Sequence, residues 1–450
     1  MAKINIAIKQ PVKHIRESYE VKRREVNFKN YLDKIFDTSF DYLREILTES
    51  ELELLIAQLK NKKDGETKDL ILFFNKIYCE IIKKKHQTEY SGRDEKLMSF
   101  INSAKSNAKI IWGDCLNVLT KMDSESIQLM VTSPPYYNAR EYSKWDNIND
   151  YLLDMEDIIR ETYRVLDNHR IWVFNVGDIF DNPRTVTKSV WGKTRLPLGA
   201  YFISIFEKCG FTFVDDIIWD KGEVQSERMT RAAKPHPMYQ YPMNCYEHLL
   251  VFHKHRLDLT RYPCPVCGTL RVNGNTQSEP GLQSWECKNL KCFERSASNR
   301  GKRFSIKTNI VQSEESQNPK NEISVELLKK WRRDIVKFSP VIKINSKGDN
   351  KLGHSAPFPK DIPEMAIKFF TYVGEKVMDP FAGSFTTVLS AVENDRIGVG
   401  IELNKNIYRS VALRMLKNDK QLDLYKNKLT IEEFDLTSEP RLHRQLRKSQ

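Results

Sequence analysis

The stretch Ile127-Gln-Leu-Met-Val131 is a short apolar run that ends abruptly in Thr132-Ser133-Pro134-Pro135-Tyr136. Far downstream, a second such run ends in Asp379-Pro380-Phe381-Ala382-Gly383. Each segment has the pattern of a buried strand that stops at a turn containing Pro or Gly. Open α/β sheets bind ligands where turns of this kind meet at the carboxyl ends of the strands. The two segments therefore predict one site assembled from distant parts of the chain.

Short apolar runs alternate with helical stretches from about residue 106 to residue 256. Leu129–Thr132 and Ile171–Phe174 have the length and composition of buried strands, and Leu152–Leu166 between them has helical spacing. This alternation predicts βαβ units and a mostly parallel sheet. The same alternation resumes over residues 351–415. We therefore expect an α/β domain built from two separate parts of the chain.

The composition indicates an intracellular protein with an anionic partner. Among 450 residues there are 72 Lys and Arg against 60 Asp and Glu, and the formal charge is +12. This balance favours a nucleic acid or a membrane surface as partner, although a merely soluble basic protein is equally compatible with it. No apolar stretch approaches the roughly 20 residues of a membrane helix, and the chain does not start with a secretory signal. We therefore expect a cytoplasmic protein without a membrane partner.

The turn after the first strand has the groups needed to activate a weakly nucleophilic amine. The lone pair of an exocyclic amine on a nucleobase is delocalised into the ring, so two acceptors must hold its hydrogens. Ser133 Oγ and the carbonyl of Pro134 can supply them in a rigid turn, and preset acceptors lower a barrier by positioning and electrostatics. Tyr136 would stack on a flipped base, and Pro135 would hold the shape. The alternative is an ordinary tight turn that ends a strand.

These segments resemble the DNA amino-methyltransferases, which transfer a methyl group from S-adenosylmethionine to cytosine N4 or adenine N6. The resemblance covers roughly residues 108–415. It consists of segments in a fixed order, namely Ile110–Cys115, Thr132–Tyr136, Ile217–Lys221, Glu247–Phe252, His354–Pro359, Asp379–Gly383 and Gly398–Glu402. The turn with Ser133 precedes the glycine turn, which is the order of the permuted beta group of these enzymes.

The resemblance implies a Rossmann-like, circularly permuted methyltransferase fold that binds S-adenosylmethionine. Asp114, followed by Cys115, would accept from the adenine amino group, and Glu402 would accept from both ribose hydroxyls. For either acid alone, a role as helix N-cap or turn residue is the commoner case. The glycine turn would wrap the methionine end of the cofactor, because a small residue lets the backbone approach the ligand. The residues implied there are Asp379, Pro380, Phe381, Gly383 and Thr386.

One position departs from the pattern of this family. A second glycine normally stands two residues after the first, but this chain has Phe385 there. A strand-end turn followed by an ordinary helix is the simpler explanation of a glycine turn taken alone. The other residues of the turn lead us to expect that cofactor binding is retained, with an affinity that depends on Phe385.

Four of the eight cysteines lie close together in the sequence. They form the pairs Cys264/Cys267 and Cys287/Cys292, with 19 residues between the pairs. Two close pairs joined by a loop are typical of a tetrahedral structural zinc site, and the first pair resembles the knuckle of a zinc ribbon. Four unrelated thiols in a reducing region are the alternative. We expect a structural zinc ion that folds this core-poor stretch.

Five regions follow from these patterns. Residues 1–105 would form a helical extension, either a cap on the catalytic domain or a clamp for DNA or a partner. Residues 106–256 would be the catalytic half of the methyltransferase domain and residues 351–415 its cofactor-binding half. Between them, residues 257–350 would be an insertion that holds the zinc ribbon and recognises the target sequence in DNA. Residues 416–450 would be a basic tail.

We expect a site-specific methyltransferase that acts on double-stranded DNA after base flipping, without a covalent enzyme intermediate. It would protect the site of a cognate restriction endonuclease carried on a separate chain. Cytosine N4 is favoured as the target because Ser133 stands where adenine enzymes more often have Asp or Asn, and adenine N6 is the alternative. Further alternatives are a catalytically inactive zinc-containing DNA-binding protein and an RNA methyltransferase.

Overall fold

The structure is a computed structural model that describes the following parts of the chain: residues 49, 50, 53, 57, 90–138, 145–185, 193–222, 245–254, 272–278, 282–291, 303–304, 318–341, 359–418 and 429–439. The chain divides into two compact units. The smaller unit comprises Met1–Glu89 and Leu257–Gln317, and the larger unit comprises Tyr90–Arg256 and Asn318–Gln450.

Fourteen strands lie within these described ranges. They are β1 (Ala108–Trp112), β2 (Ile127–Thr132), β3 (Leu166–Val176), β4 (Ile179–Thr185), β5 (Lys193–Leu196), β6 (Phe211–Asp220), β7 (Tyr246–Lys254), β8 (Val272–Ser278), β9 (Leu282–Cys287), β10 (Arg303–Phe304), β11 (Ile335–Lys337), β12 (Lys376–Asp379), β13 (Ile397–Glu402) and β14 (Ile431–Asp435). Nine of them form one sheet in the order β11-β6-β7-β3-β2-β12-β13-β1-β14. β4 pairs with β5, and the smaller unit contains a sheet in the order β10-β9-β8.

Eight helices of the larger unit are described. They are α1 (Glu95–Asn102), α2 (Cys115–Thr120), α3 (Ile148–Val165), α4 (Leu198–Lys208), α5 (Val325–Trp331), α6 (Asp361–Phe370), α7 (Thr386–Glu393) and α8 (Lys405–Asn418). Short polar side chains start several of them: Asp94 accepts from the second and third amides of α1, and Asn147 caps α3. Such caps satisfy amides that the first helical turn leaves unpaired. No helix in the described part of the chain is long and apolar enough to cross a membrane.

The nine-stranded sheet is parallel except at β7. That strand runs antiparallel to both of its neighbours, β3 and β6. β2 lies beside β12, so Leu129 faces Val377 although the two residues come from distant parts of the chain. The carboxyl ends of β1, β2, β12 and β13 therefore lie along one edge of the sheet. The predicted α/β fold with a mostly parallel sheet is confirmed.

Helices cover both faces of the sheet. Alternate residues of β2 point to opposite faces, so Met130 packs into the cluster that includes α1 to α4, while Leu129 and Val131 pack with α6. Near the other end of the sheet, Ile110 of β1 packs with residues of α7 and α8. Parallel strands buried on both faces are apolar almost throughout, which is why β2 reads as a continuous apolar run.

Several described elements lie outside the alternating pattern seen in the sequence. α5 and β11 lie within residues 257–350, and β14 lies within residues 416–450. β11 and β14 form the two outer edges of the nine-stranded sheet. Short edge strands carry little apolar periodicity, because only part of their surface is buried. Within residues 1–105, α1 packs into the core through Leu97, Met98 and Ile101, whereas most of residues 1–89 lie outside the described part.

Candidate active site

The turn that follows β2 and the turn that follows β12 meet at the carboxyl edge of the sheet. Thr132, the last residue of β2, donates from Oγ1 to Oδ1 of Asp379 at 2.5 Å. Ser133 and Tyr136 are half-buried at the start of the first turn, and Pro134 is buried. The structure therefore brings together the Ser-Pro-Pro-Tyr turn and the glycine turn, as their positions after two neighbouring strands predict.

Asp379 organises the glycine turn from a buried position. Its side chain also accepts from the amide of Phe381 at 3.0 Å and from the hydroxyl of Thr387 at 2.8 Å. Burial raises the pKa of this carboxyl from its ordinary 3.8 to about 6, although the hydrogen bonds from Thr132, Phe381 and Thr387 act in the opposite direction. A carboxylate held by several donors fixes the backbone around it, so Asp379 sets the shape of the turn.

Glu402 lies beside the same turn, at the end of β13. Its two carboxylate oxygens accept from the amide of Gly383 at 3.0 Å and from the amide of Asn404 at 2.9 Å. Burial raises the pKa of Glu402, and the charge of Asp379 adds to this, while the two amides lower it. Each oxygen keeps a further lone pair, so the side chain retains the capacity to accept from ligand hydroxyls.

Asp114 lies two residues after Trp112, the last residue of β1, which pairs with Glu402 of β13. Its side chain caps α2 by accepting from the amide of Asn117 at 3.2 Å. Burial, together with the charge of Asp114, raises the pKa of the Cys115 thiol well above its ordinary range. Both residues therefore lie at the same edge as the glycine turn, with Asp114 also serving as a helix cap.

The glycine turn continues into α7 without a second glycine. Phe385 occupies that position with a left-handed backbone, at φ 62°, and its ring is fully buried. The ring packs 5.5 Å from Trp112 and fills the space beside Gly400, where an added Cβ would lie 2.6 Å from the ring. A bulky residue with positive φ is strained and persists only where its surroundings hold it. Phe385 thus keeps the backbone conformation that a glycine would adopt and places its side chain in the core.

The remaining residues implied for the glycine turn lie in the same segment. Pro380 and Gly383 are buried, and Gly383 has a positive φ of 51°. The hydroxyl of Thr386 lies 3.1 Å from that of Ser384, at the start of α7. A buried glycine with a left-handed backbone leaves space beside the chain that a side chain would fill.

The amino end of β7 brings a further acid to the site. Because β7 is antiparallel, its first residues lie at the carboxyl edge. Glu247 Oε2 accepts from the hydroxyl of Tyr136 at 3.0 Å and from Nδ2 of Asn175 at 3.0 Å. Its other oxygen forms an ion pair with Lys221. Glu247 therefore contacts the predicted catalytic turn. The segment Glu247–Phe252 was expected to be a strand of the same sheet, but no role was predicted for Glu247, since its partners are far apart in the sequence.

His248 extends this cluster behind Glu247. Its Nδ1 lies 2.8 Å from Asp216 Oδ2, and its Nε2 lies 3.8 Å from Asp178 Oδ1. Burial lowers the pKa of His248, but the hydrogen bond and charge of Asp216 and the charges of Asp178 and Glu247 outweigh it, so the pKa is raised overall. No role was predicted for His248 from the sequence, although it lies in the segment Glu247–Phe252.

Three of the four predicted metal ligands lie outside the described part of the chain. Cys264, Cys267 and Cys292 lie outside the described residues, and Cys287 ends β9. Among the residues that the structure describes, no group of three or more His, Cys, Asp or Glu side chains could hold a metal ion. Residues 354–358 of the predicted segment before the cofactor-binding half also lie outside the described part.

Residues 127–413 match a protein family described as DNA methylase, of the N6/N4 methyltransferase type. The match covers more than half of the chain. This protein belongs to that DNA methylase family. The resemblance to DNA amino-methyltransferases of restriction-modification type, inferred from the sequence, is therefore confirmed.

Individual relatives agree with this assignment. The Type II beta methyltransferase M.BslI from Bacillus sp. (strain NEB-606) is 33% identical over 404 residues, which cover 87% of this chain and 38% of M.BslI. The Type II methyltransferase M.SmaI from Serratia marcescens is 26% identical over 355 residues, which cover 73% of this chain and 97% of M.SmaI. The chain thus spans well under half the length of the first relative and nearly all of the second.

A solved structure is also similar to this chain. It is that of PvuII DNA methyltransferase (cytosine-N4-specific), with 18% identity and a TM-score of 0.43. The similar region covers 75% of this chain and 100% of the other.

Proposed function

We propose that this DNA methylase transfers the methyl group of S-adenosylmethionine to an exocyclic amine of a base in duplex DNA. The observation that carries this proposal is the 2.5 Å hydrogen bond from Thr132 to Asp379. This bond fixes the end of the strand that bears Ser133 directly beside the glycine turn. The first turn would then hold the base next to a cofactor held by the second turn. Direct transfer of the methyl group requires this proximity.

The chain's own residues fit S-adenosylmethionine at the glycine turn. Gly383 is buried with a positive φ, and two buried acids, Asp379 and Glu402, hold the turn. A glycine in this conformation allows close approach of a ligand, and carboxylate oxygens suit ribose hydroxyls. The cofactor supplies an activated methyl group when bound. Asp114 at the end of β1 would complete the site on the adenine side.

Ser133 and Pro134 would act on the target amine. The Ser133 hydroxyl and the Pro134 carbonyl accept hydrogen bonds from its two hydrogens and favour the pyramidal nitrogen that attacks the methyl group. Tyr136 stacks on the base after it has been flipped out of the duplex. The nitrogen itself would be the nucleophile: its lone pair would form the bond to the methyl carbon, the electron pair of the broken methyl–sulfur bond would stay on S-adenosylhomocysteine, and the amine would lose one proton to water. No covalent bond would form between protein and base.

Cytosine N4 is the proposed target, because Ser133 occupies the first position of the catalytic turn. The chain order, with the Ser-Pro-Pro-Tyr turn before the glycine turn, supports the permuted beta group, and the name of the M.BslI relative includes the word beta. Adenine N6 is the alternative, because the same two acceptors would hold an adenine amine.

Incubation of the purified protein with labelled S-adenosylmethionine and mixed-sequence duplex DNA tests this proposal. The DNA is digested to nucleosides, and the methylated species is identified by mass spectrometry, with RNA of mixed sequence as a parallel substrate. N4-methylcytosine is the expected product. N6-methyladenine would keep the mechanism and change the target. Absence of a labelled deoxynucleoside, despite cofactor binding, would contradict the proposal.

We also propose that Cys264, Cys267, Cys287 and Cys292 hold a structural zinc ion in the target-recognition insertion. Their spacing supports this, and Cys287 is the last residue of β9 in the sheet of the smaller unit. Metal analysis of the purified protein should give one zinc ion per chain, which is lost in Cys264→Ser but not in the control Cys209→Ser. Equal zinc content in both variants would contradict the assignment.

A role in protecting the target of a cognate restriction endonuclease is part of the same proposal. The names of the relatives, Type II methyltransferases, support it. DNA methylated by this protein should resist cleavage by an endonuclease encoded beside it, and cleavage at the unmodified rate would contradict the role.

A further inference from the structure

We infer that Glu247 is a positioning residue that sets the direction of the hydroxyl hydrogens in the catalytic turn. This inference rests on the proposed function and deepens it. It starts from the contacts of one carboxylate at the carboxyl edge, which the Ser-Pro-Pro-Tyr pattern does not include.

Glu247 is surrounded by donors. Tyr136 and Asn175 both donate to its Oε2 at 3.0 Å, and Lys221 forms an ion pair with its Oε1. The side chain is 15% exposed. A carboxylate in this setting only accepts, so the hydroxyl hydrogen of Tyr136 must point to Glu247.

The position of Glu247 is held from both sides. Asn175 also donates to the carbonyl of His248 at 3.1 Å, which fixes the amide that faces the carboxylate. On the other side, a Cβ added to Gly177 would lie 2.9 Å from Cγ of Glu247. The backbone after β3 can therefore close over this side chain only because residue 177 is a glycine.

The direction of the Tyr136 hydroxyl determines that of Ser133. Burial, followed by the charge of Glu247, raises the pKa of Tyr136 well above its ordinary range, while hydrogen bonds of its hydroxyl with the side chain of Ser133 and the backbone of Gly177 act in the opposite direction, as donors to its oxygen do. Because the hydrogen of Tyr136 is directed to Glu247, its oxygen is free to accept from Ser133. The hydrogen of Ser133 then points away from the base, and its lone pairs face the target amine.

A glutamine at position 247 should reverse the direction of these hydrogen bonds. Lys221 can only donate, so the amide oxygen of Gln would turn to Lys221 and its NH₂ group would face Tyr136. The Tyr136 hydroxyl would then accept from Gln and direct its own hydrogen at Ser133. Ser133 would accept that hydrogen and could present its own hydrogen to the amine, which needs an acceptor.

The test compares wild-type protein with Glu247→Gln, Tyr136→Phe and the double variant in the methylation assay. We expect Glu247→Gln to lower kcat about 30-fold, with unchanged KM for DNA and for S-adenosylmethionine, since the interaction serves the reacting amine only. Tyr136→Phe keeps the stacking ring and releases Ser133, so a loss of about fivefold is expected. The double variant should match Tyr136→Phe and thus be more active than Glu247→Gln alone.

The matched control is Glu375→Gln. Glu375 also forms a half-buried ion pair, with Arg170, and is 19% exposed, but it lies at the opposite edge of the sheet. Its variant should keep the wild-type kcat. Two results would overturn the inference while leaving the proposed function intact. One is a kcat in the Glu247→Gln/Tyr136→Phe variant that falls by the product of the two single losses, and the other is a loss of kcat in Glu375→Gln equal to that in Glu247→Gln. A wild-type protein without transfer activity would overturn both.

Discussion

At the amino edge of the nine-stranded sheet, buried cations meet the carbonyl ends of helices, whereas at the carboxyl edge, buried carboxylates meet backbone amides. Lys109 is fully buried at the start of β1, and its Nζ donates to the carbonyls of Phe100 at 2.7 Å and Ser103 at 2.9 Å, where α1 ends. Lys254 donates to the carbonyl of Leu166 at 2.6 Å, where α3 ends.

Arg396, at the start of β13, repeats this arrangement. It donates to the carbonyl of Thr371 after α6 and to that of Asn394 after α7, each at 2.6 Å. At the opposite edge, Glu402 accepts from two amides and Asp379 from one. The three cations thus donate to backbone carbonyls, whereas the two carboxylates accept from backbone amides.

The polarity of the sheet explains this difference. A helix that connects parallel strands returns antiparallel to them, so its unpaired carbonyls arrive at the amino edge, and the next helix begins with unpaired amides at the carboxyl edge. Cations satisfy the first group and anions the second. Burial perturbs the pKa at both edges: it lowers that of Lys109 and Arg396 and raises that of Asp379 and Glu402. The carboxyl edge differs because its acids hold the buried glycine turn, where a ligand can approach the backbone, so this edge has the properties of a ligand site.

The largest effect should come from Ser133→Ala at the carboxyl edge. Removal of one preset acceptor should lower kcat for methyl transfer by about two to three orders of magnitude, as loss of an oxyanion-hole donor does elsewhere. The free energy of unfolding should stay unchanged. Ser126→Ala is the matched control, since Ser126 lies just before β2 at the amino edge, where it donates to the carbonyl of Asp123 at 2.8 Å. Equal activity in the Ser133 variant would remove the catalytic role.

Lys109→Met should have the next largest effect, on stability only. The change leaves buried carbonyls at the end of α1 without a donor, which should lower the free energy of unfolding by about 3 kcal/mol. Chemical denaturation measures this, and kcat per folded molecule should not change. The control is Lys208→Met, which breaks an ion pair with Glu156. Because the Lys208 side chain is 64% exposed, the free energy of unfolding should fall by less than about 1 kcal/mol. A comparable loss in both variants would contradict the comparison of the edges.

Asp379→Asn should change how stability depends on pH. The folded-state pKa of about 6 lies above the ordinary 3.8, so the folded protein binds the extra proton between these values. Stability contributed by this group is therefore present at low pH and is lost as the pH rises through about 6, by about 2 to 3 kcal/mol. Asparagine cannot ionise, so the variant should lack this loss. Denaturation curves from pH 4 to pH 8 measure the free energy of unfolding of both proteins. If it changed with pH in the same way in wild type and variant, the assignment would be contradicted.

Glu402→Gln should have the smallest effect, on cofactor affinity. The amide oxygen of Gln still accepts from one backbone amide, but its NH₂ group cannot accept from a ribose hydroxyl. We expect the Kd for S-adenosylmethionine to rise about tenfold, because one hydrogen bond to a charged group is lost. Calorimetric titration measures this, with Glu364→Gln in α6 as the control. An unchanged Kd would show that Glu402 shapes the turn without contacting the cofactor.

Much of the fold and part of the candidate site could be predicted from local patterns. β2 and β12 are short apolar runs that end in turns rich in Pro and Gly, and both features depend on neighbouring residues only. The same holds for the acids Asp114 and Glu402, because Asp114 lies two residues after the apolar strand β1 and Glu402 ends the apolar strand β13. Parallel strands end at one edge, so residues of these kinds were predicted to share a site.

Other features depend on residues that are distant in the sequence. Phe385 departs from the family pattern, and only the fold shows that Gly400 leaves room for its ring. Glu247 reaches Tyr136 because β7 is antiparallel, and a single strand does not reveal its direction. The strands β11 and β14 lie at the sheet edges, where apolar alternation is weak.

The sequence by itself therefore determined the α/β class, the family and the position of the two turns, because strand length, apolar runs and turn residues are local properties. The tertiary structure decided which side chains surround those turns and which charges lie at each edge. The hydrogen bonds from Tyr136 to Glu247 and from Lys254 to Leu166 join residues that are 111 and 88 positions apart in the sequence. Their geometry thus follows from long-range packing, which no local pattern encodes.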